Sequence, residues 1–389
     1  MPEMNGQPLL SYIVLSYNYE EYIGTTLRSI LEQTVQDFEI VVVDDCSRDR
    51  SVEVVRSFND PRIRLIVNEH NLGGAGSYNR AVQAARGTWL VNLDADDWIA
   101  PNKAEIQLRA VQKDPRLDII GTHVKILDHE GKPHPDAPSL EAGINQPHNL
   151  NLVQNWVGMN WLCRSSSMVR REAHLRIGLD DAAMVRAPDY ELWTRALRMG
   201  CKFAVVPQQL TFMRLHKRGV THADPLGQFL ELSYAMMRNL IPLAEARALH
   251  PTVESIIAWV ARHGELCKLE PRHAYRLLGI VLATPEFPDF TAFRSEVLSD
   301  EPDNALVRAG RRALTTYREG SPGFAYANKL ERDIGEFIHA RNYWQAQAEH
   351  WERVYHMRRT RYTPRRIAAA LLRRAKIAPE LLRKLDGYR

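Results

Sequence analysis

Four times between Tyr12 and Leu93 the chain repeats one unit, a short apolar run that leads into a helical stretch. The runs are Tyr12–Ser16, Phe38–Val43, Ile63–Val67 and Trp89–Leu93. Between them Tyr22–Leu31, Ser51–Phe58 and Tyr78–Ala85 read as helices, and Pro101, suited to a first helical turn, opens the next. Strands of continuous Val, Ile and Leu are buried on both faces. With helices between them they make an α/β fold, a mostly parallel sheet flanked by helices. Such a sheet binds ligands beyond the carboxyl ends of its strands, so the loops after each strand are where chemistry is expected.

Those loops are acidic. Asn92-Leu93-Asp94-Ala95-Asp96-Asp97-Trp98 closes the fourth strand. Three carboxylates within four positions repel one another unless a cation sits among them. Mg²⁺ or Mn²⁺ suits them, because hard divalent ions favour oxygen and keep positions open for phosphate. The alternative is a polar loop whose Asp caps the following helix. Asp44-Asp45 closes the second strand, and carboxylates on two neighbouring strand ends suit a nucleotide: one for base or ribose, one for the metal. Here too a helix cap at Asp45 or Ser47 is the alternative. The first strand runs into Ser16-Tyr17-Asn18-Tyr19-Glu20-Glu21, where an aromatic and an amide can flank a base. Asn71-Leu72-Gly73-Gly74-Ala75-Gly76 puts three glycines at a helix start, where backbone N–H groups can approach a ligand. Tyr78 and Asn79 stand where a dinucleotide fingerprint would need its last glycine, which argues against an NAD enzyme.

Further along, His129–Asn155 is rich in Pro, His and Asn and reads as a long loop, suited to a lid over bound substrates. Strand and helix patterns resume over Val157–Arg214, and after about Asp224 the strand signal ends. The division expected is a catalytic domain at 1–224, a helical region at 225–325, and a long amphipathic helix with a basic tail at 326–389. Leu330, Ile334, Phe337, Arg341, Trp344, Ala348, Trp351 and Tyr355 step by four and three, the seam of a coiled coil and a route to a homo-oligomer. A helix packed on the chain's own body fits the same spacing. From Tyr362 onward Arg and Lys interleave with Leu and Ile, a face for peripheral contact with an anionic membrane or a solvated helix face.

A balance of 51 basic against 47 acidic residues leaves +4, too mild to call for nucleic acid as a partner. The four cysteines form no C-x-x-C pair, which argues for a reducing compartment and against a zinc site. With no signal-like start and no apolar run near the roughly 18 residues a span needs, the expected location is cytoplasmic, at most peripheral at the inner face of a membrane.

These blocks, in this order, resemble a family 2 glycosyltransferase with the GT-A fold over roughly Ser11–Thr221. Val43-Asp44-Asp45-Cys46-Ser47 is similar to the family's Val-Asp-Asp-Gly-Ser, which implies that Asp45 contacts the base. Leu93–Asp97 resembles the DxD motif, which implies Asp94 and Asp96 as holders of Mn²⁺ or Mg²⁺ and of the diphosphate. Ala187-Pro188-Asp189-Tyr190-Glu191-Leu192-Trp193 resembles the block that carries the catalytic base, which implies Asp189. Met213-Arg214-Leu215-His216 resembles a Tyr-Arg-x-His block, which implies His216 as a further metal ligand with Arg214 beside it. Tyr78 stands where the family often carries Arg, and Pro188 replaces an acid.

Taken together, the resemblance implies donor contacts from Ser16, Tyr17, Asn18, Glu20, Asp45, Asn71, Gly73, Asn79, Asp94, Ala95 and Asp96. It implies an acceptor side of Asp97, Trp161 and Trp193. The implied reaction is inverting transfer from a nucleotide-diphosphate sugar, a UDP-sugar by preference, to a glycan or lipid-linked acceptor in cell-surface polysaccharide synthesis. The alternatives are a nucleotidyltransferase and a degenerate, non-catalytic transferase scaffold. The first would carry a basic, glycine-rich loop straight after the first strand, where Ser16–Glu21 has no basic residue.

Overall fold

The computed structural model describes residues 7–215, 224–301 and 304–319. His216, the coiled-coil seam and the basic tail lie outside the described residues.

Through Arg214 the elements are β1 (Leu10–Ser16), α1 (Ile23–Leu31), β2 (Phe38–Asp44), α2 (Ser51–Ser57), β3 (Ile63–Val67), α3 (Gly73–Ala84), β4 (Trp89–Asp94), β5 (Trp98–Ile99), α4 (Lys103–Lys113), β6 (Ile119–Leu127), α5 (Ala137–Ile144), β7 (Met168–Arg170), α6 (Arg171–Ile177), α7 (Pro188–Arg198) and β8 (Phe203–Arg214). The strands form one sheet in the order β3-β2-β1-β4-β7-β6-β8-β5. The half from β3 to β4 is parallel, as the apolar runs require; β7 then runs antiparallel to both β4 and β6. Register levels the carboxyl ends: Ser16 lies beside Asp44, and Leu15 beside Asp94. Beneath that edge Tyr12, Val14, Ile40, Val42, Val91 and Leu93 are buried against Ile23, Leu27 and Ile30 of α1.

Three local expectations need correction. α3 begins at Gly73, five residues before Tyr78, because the N–H groups of Leu72 and Gly73 both find an acceptor in the Asp45 carboxylate, at 2.7 and 2.9 Å. A side chain 28 positions away completes the helix start, and no local rule shows it. α4 begins at Lys103, with Pro101 in the turn before it. The stretch read as one long loop contains α5 and a 3-10 turn at Val153–Trp156. Glu141 of α5 accepts the Ile126 N–H at 2.7 Å, and Asn145 bonds both backbone groups of Val124 at 2.8 Å, so this segment is pinned to β6.

The change from sheet to helix falls where α8 (Pro225–Ala235) begins, capped by Asp224, which accepts the Gly227 N–H at 2.9 Å. A π-helical turn (Met236–Leu240) leads to α9 (Ile241–Ala246), α10 (His250–Leu266), α11 (Pro271–Ala283), α12 (Phe290–Val297) and α13 (Ala305–Glu319). Compactness nevertheless joins Met1–Thr315 in one unit. The apolar run Leu277–Ala283 is the interior of α11, and among the described residues no helix is long and apolar enough to cross a membrane. A Cβ at Gly279 would overlap the Leu306 carbonyl, so α11 and α13 meet backbone to backbone.

At the opposite end of the parallel strands, buried Glu39 of β2 accepts from the Ser11 hydroxyl at 2.7 Å, the Arg86 N–H at 2.7 Å and the Arg86 guanidinium at 2.9 Å. Burial opposes its charge, but Ser11 and Arg86 outweigh burial and hold the carboxyl below its usual range. A depressed pKa in the folded state gives stability that is present above the unfolded value and lost as pH falls through the folded one. Glu39→Gln should therefore lower urea stability at neutral pH by about 1–3 kcal/mol. The gap from wild type should close below about pH 4, and a gap independent of pH would contradict this account.

Candidate active site

The loop after β1 is zipped to the loop after β2. Asn18, in left-handed backbone at φ 58°, donates its N–H to the Ser47 hydroxyl at 2.9 Å and accepts the Arg48 N–H on its side chain at 2.8 Å. Tyr19 N–H reaches the Ser51 hydroxyl at 2.9 Å, and Glu20 accepts the Arg50 N–H at 2.9 Å. Ser16, at the end of β1, is buried, and its hydroxyl has no partner among the described residues. Tyr17 projects outward, 43% exposed. Tyr19 turns the other way: burial, then the charges of Asp96 and Asp94, push its phenol up.

Asp45 is buried, and its carboxylate accepts three hydrogen bonds from the protein. Besides Leu72 and Gly73 it accepts from the Asn68 amide at 2.7 Å, and Asn71 donates to its carbonyl at 3.3 Å. Of the loop's N–H groups, those of Leu72 and Gly73 are thus spent on the protein itself, so of the three glycines expected to face a ligand Gly73 does not offer its N–H. Gly73 and Gly74 remain exposed, with open space where a Cβ would stand, so a ligand can pass close to the backbone there.

Beyond β4 the acidic loop turns back on itself, with Asp97 N–H bonded to the Asp94 carbonyl at 3.0 Å. Thr26 of α1 donates its hydroxyl toward the carbonyls of Ala95, at 2.8 Å, and Asp97, at 2.7 Å, which fixes the loop from below. Ser165 binds Asp94 twice, to its N–H at 3.1 Å and its carboxylate at 3.2 Å. Burial first, and then the charge of Asp96, raise the pKa of both Asp94 and Asp97. Asp97, expected on the acceptor side, is instead buried and accepts the Arg214 N–H at 2.8 Å, tying β8 to the loop. Arg214 donates to the carbonyls of Asp96 and His129 and lies between the rings of Tyr22 and Trp98, at 4.4 and 4.7 Å. It is a brace for the acidic loop.

Asp189 is the second residue of α7. Its carboxylate accepts from the Asn160 amide at 2.8 Å and the Tyr190 N–H at 2.9 Å. Burial raises its pKa, with Arg164 and Asn160 opposing. The charge of Asp189 also contributes to the raised pKa of Asp94, and Cys163 feels Asp97, Asp94 and Asp189 together, so the base expected on α7 and the acidic loop share one electrostatic environment. Trp161 is half-buried and stacks on His148 at 3.8 Å, a mixed aromatic platform on the same loop as Asn160. Two other expectations are corrected. Trp193 is wholly buried, its indole N–H on the Leu162 carbonyl at 3.0 Å, and offers no face to an acceptor. Asn79 spends its amide on both backbone groups of Asp180, at 2.9 and 2.8 Å, which joins α3 to the turn before α7 instead of meeting the donor.

Arg164 is the residue that pattern reading missed. It precedes Ser165, donates to Asp180 at 2.7 Å, and lies 4.0 Å over the ring of Tyr78, the position where the resemblance expected an Arg. One of its terminal nitrogens, Nη1, is buried with no partner among the described residues. It lowers the pKa of Asp94, Asp180 and Asp189 alike, and so is the cation that lets buried Asp180 and half-buried Asp94 and Asp189 coexist. Nothing in Cys163-Arg164-Ser165 announces this, because the three acids arrive from three other segments.

Against that attraction, burial still pushes Asp180 up to about 6. Removing the cation should leave a buried charge uncompensated: Arg164→Met should cost about 3–5 kcal/mol in urea unfolding, and pairing it with Asp180→Leu should restore much of that. A near-neutral single change would contradict the assignment.

The family model described as Glycosyl transferase family 2 matches residues 11–178. An amylovoran biosynthesis glycosyltransferase of Erwinia amylovora, AmsB, is 31% identical over 209 residues, 51% of this chain and 67% of that protein. In Escherichia coli, a UDP-Glc:alpha-D-GlcNAc-diphosphoundecaprenol beta-1,3-glucosyltransferase, WfgD, is 42% identical over 106 residues, 27% of this chain and 42% of that protein. Among solved structures, S. aureus TarS 1-349 in complex with UDP superposes with a TM-score of 0.53 at 18% identity, over 80% of this chain and 92% of that one, a likeness of fold. By its sequence blocks, its sheet and these relatives, the chain belongs to glycosyl transferase family 2 and is a glycosyltransferase.

Proposed function

We propose that this glycosyltransferase moves a sugar from a uridine-diphosphate donor to an acceptor hydroxyl by a single inverting displacement, with Asp189 as the base. The observation that carries the reading is that one short segment, 160–165, bonds both acids: Asn160 donates to Asp189 at 2.8 Å and Ser165 to Asp94 at 3.2 Å, at the carboxyl end of β4. An acceptor hydroxyl loses its proton only as the new bond forms, so a carboxylate must stand within hydrogen-bond reach. Half-burial, the Asn160 bond that fixes its carboxylate and a basicity raised by burial support Asp189 in that role. The uridine preference draws on the donor in the E. coli relative's name, and a role in polysaccharide synthesis on the amylovoran relative.

A divalent metal fits the residues present. Asp94, Asp96 and Asp97 are hard oxygen donors, and the charge of Asp96 raises the pKa of both its neighbours, an acidic cluster that a divalent cation would relieve. Among the described residues no three His, Cys, Asp or Glu side chains gather as ligands, so the ion proposed would be held by one or two carboxylates and completed by phosphate oxygens. Asp94 and Asp96 would hold Mn²⁺ or Mg²⁺, which supplies positive charge to the departing diphosphate. The chain's own residues do the rest: Tyr17 and the Asn18 loop border the base, Trp161 and His148 border the acceptor, and Asp189 takes the proton. The loop after β1 is zipped to its neighbour by Asn18 and Glu20 and lacks the basic, glycine-rich cradle of a nucleotidyltransferase. A retained acidic loop opposite Asp189 speaks against a non-catalytic scaffold.

Asp189→Asn should cut transfer by about 10²–10⁴-fold while UDP affinity stays within about twofold; transfer at the wild-type rate would sink the base assignment. Asp96→Ala should instead abolish the Mn²⁺-dependent part of UDP binding in calorimetry, and equal affinity with and without Mn²⁺ in the wild type would remove the metal. Because the base acts deprotonated and its pKa is raised, the acid limb of kcat/KM should lie above the ordinary carboxylate value of about 3.9. An acid limb at or below that value would contradict the environment described for Asp189.

A further inference from the structure

The helices after Asp224 have so far only completed the core, yet their polar contacts converge on one place. Glu231 of α8 is buried, and its carboxylate accepts three successive backbone N–H groups: Val185 at 2.9 Å, Arg186 at 2.8 Å and Ala187 at 2.6 Å. Ala187 is the N-cap residue of α7, and Pro188 and Asp189 follow directly. One side chain from the helical region therefore sets the backbone that delivers the proposed base. Three charge-assisted bonds to consecutive amides leave that segment little freedom to turn.

The other side of the same carboxylate is held from the helices too. Asn160, which donates to Asp189, sits in a loop whose Gly158 has φ +67° and donates its N–H to the sulfur of Met236 at 3.2 Å. A Cβ at Gly158 would overlap the indole of Trp259 on α10, so the loop lies flat against that ring. Trp259 is in turn backed by Phe229 at 5.7 Å and His263 at 4.1 Å. A third tie, from Asn239 in the π-helical turn, reaches Glu191 at 3.1 Å and Thr194 at 3.2 Å, both on α7.

We infer that the helical region is a positioning element of the active site, in which Glu231 and the Trp259–Gly158 contact hold Asp189 and its partner Asn160 in register for proton removal. Glu231 is a positioning residue, remote from substrate, and acts through Ala187 and Pro188. The sheet edge holds the donor; the helices hold the base. This rests on Asp189 being the base, and it assigns separate work to the two parts of the chain, so a fault in the helices should damage the chemical step and spare nucleotide binding.

The test compares full-length wild type, Glu231→Gln, Trp259→Ala and Asp189→Asn. Turnover is read as nucleoside diphosphate release, with Mn²⁺, from whichever of UDP-glucose, UDP-galactose, UDP-GlcNAc, UDP-glucuronate and GDP-mannose the wild type hydrolyses fastest. Binding is read as calorimetric affinity for the corresponding nucleoside diphosphate. Glu231→Gln and Trp259→Ala should each lower kcat by about tenfold or more, as misplacement of a reacting group does, with affinity within about twofold of wild type. Glu231→Asp, which keeps the charge, should recover part of the loss. Wild-type kcat in both helix variants, or affinity falling in step with kcat, overturns the inference. Trp259→Ala reports on the clamp from the side opposite Glu231, so a Glu231→Gln chain that melts at room temperature leaves the question decidable. Full turnover by Asp189→Asn would instead overturn the base assignment beneath it.

Discussion

Carboxylates crowded at the end of a buried strand are the constraint to which the rest of this structure answers. Asp94, Asp96 and Asp97 stand within four positions at the tip of β4, and burial raises the pKa of Asp94 and Asp97 in addition to their repulsion. Like charges so placed unfold a loop unless backbone donors and cations hold it. Here Thr26 and Ser165 hold the backbone, Arg214 braces it from β8, and the charge of Arg164 lowers the pKa of Asp94. What these do not neutralise is the charge a metal and diphosphate would meet. The fold carries this strain at one edge while the aliphatic centre of the sheet supplies the stability.

A division of labour follows from the connectivity. The parallel half of the sheet brings four loops to one level, the edge proposed to take the donor. Asp189 reaches the same place on a helix start, which its own strand neighbours do not fix. Its geometry comes from residues far along the chain: Asn160 on one side, and Glu231 through the backbone of residues 185–187 on the other. A helical layer that looks like packing thereby acquires a role in the chemistry.

Much of this could be read from the amino-acid pattern, and the limits of that reading have physical causes. The four parallel strands were legible because their Val, Ile and Leu runs need no partner to be seen, even in β3, which is only half-buried and carries Arg64. The acidic loop stood out because three carboxylates within four positions at a strand end are unusual by charge alone, whereas Asp189 was singled out only by the resemblance, since an Asp at a helix start reads equally as a cap. α3 was cut short because glycines weaken a helix locally, and only Asp45, distant in sequence, shows what compensates. Trp193, Asn79 and Asp97 were placed at the substrate surface by motif position alone, whereas burial and hydrogen bonding turn each of them inward. Arg164 and Glu231 were invisible because their importance lies in partners from other segments, and one sequence does not display such pairings.

The central claim is that the β4 acidic loop and Asp189 face each other across one bound donor. Diffraction from crystals soaked with Mn²⁺ and a UDP-sugar, recorded at the manganese absorption edge, tests it most directly. The account predicts an anomalous peak on the carboxylates of Asp94 and Asp96. It also predicts that the anomeric carbon points toward Asp189, with space between for a hydroxyl about 3–3.5 Å from that carbon. A manganese peak elsewhere, or a sugar turned away from Asp189, would contradict it.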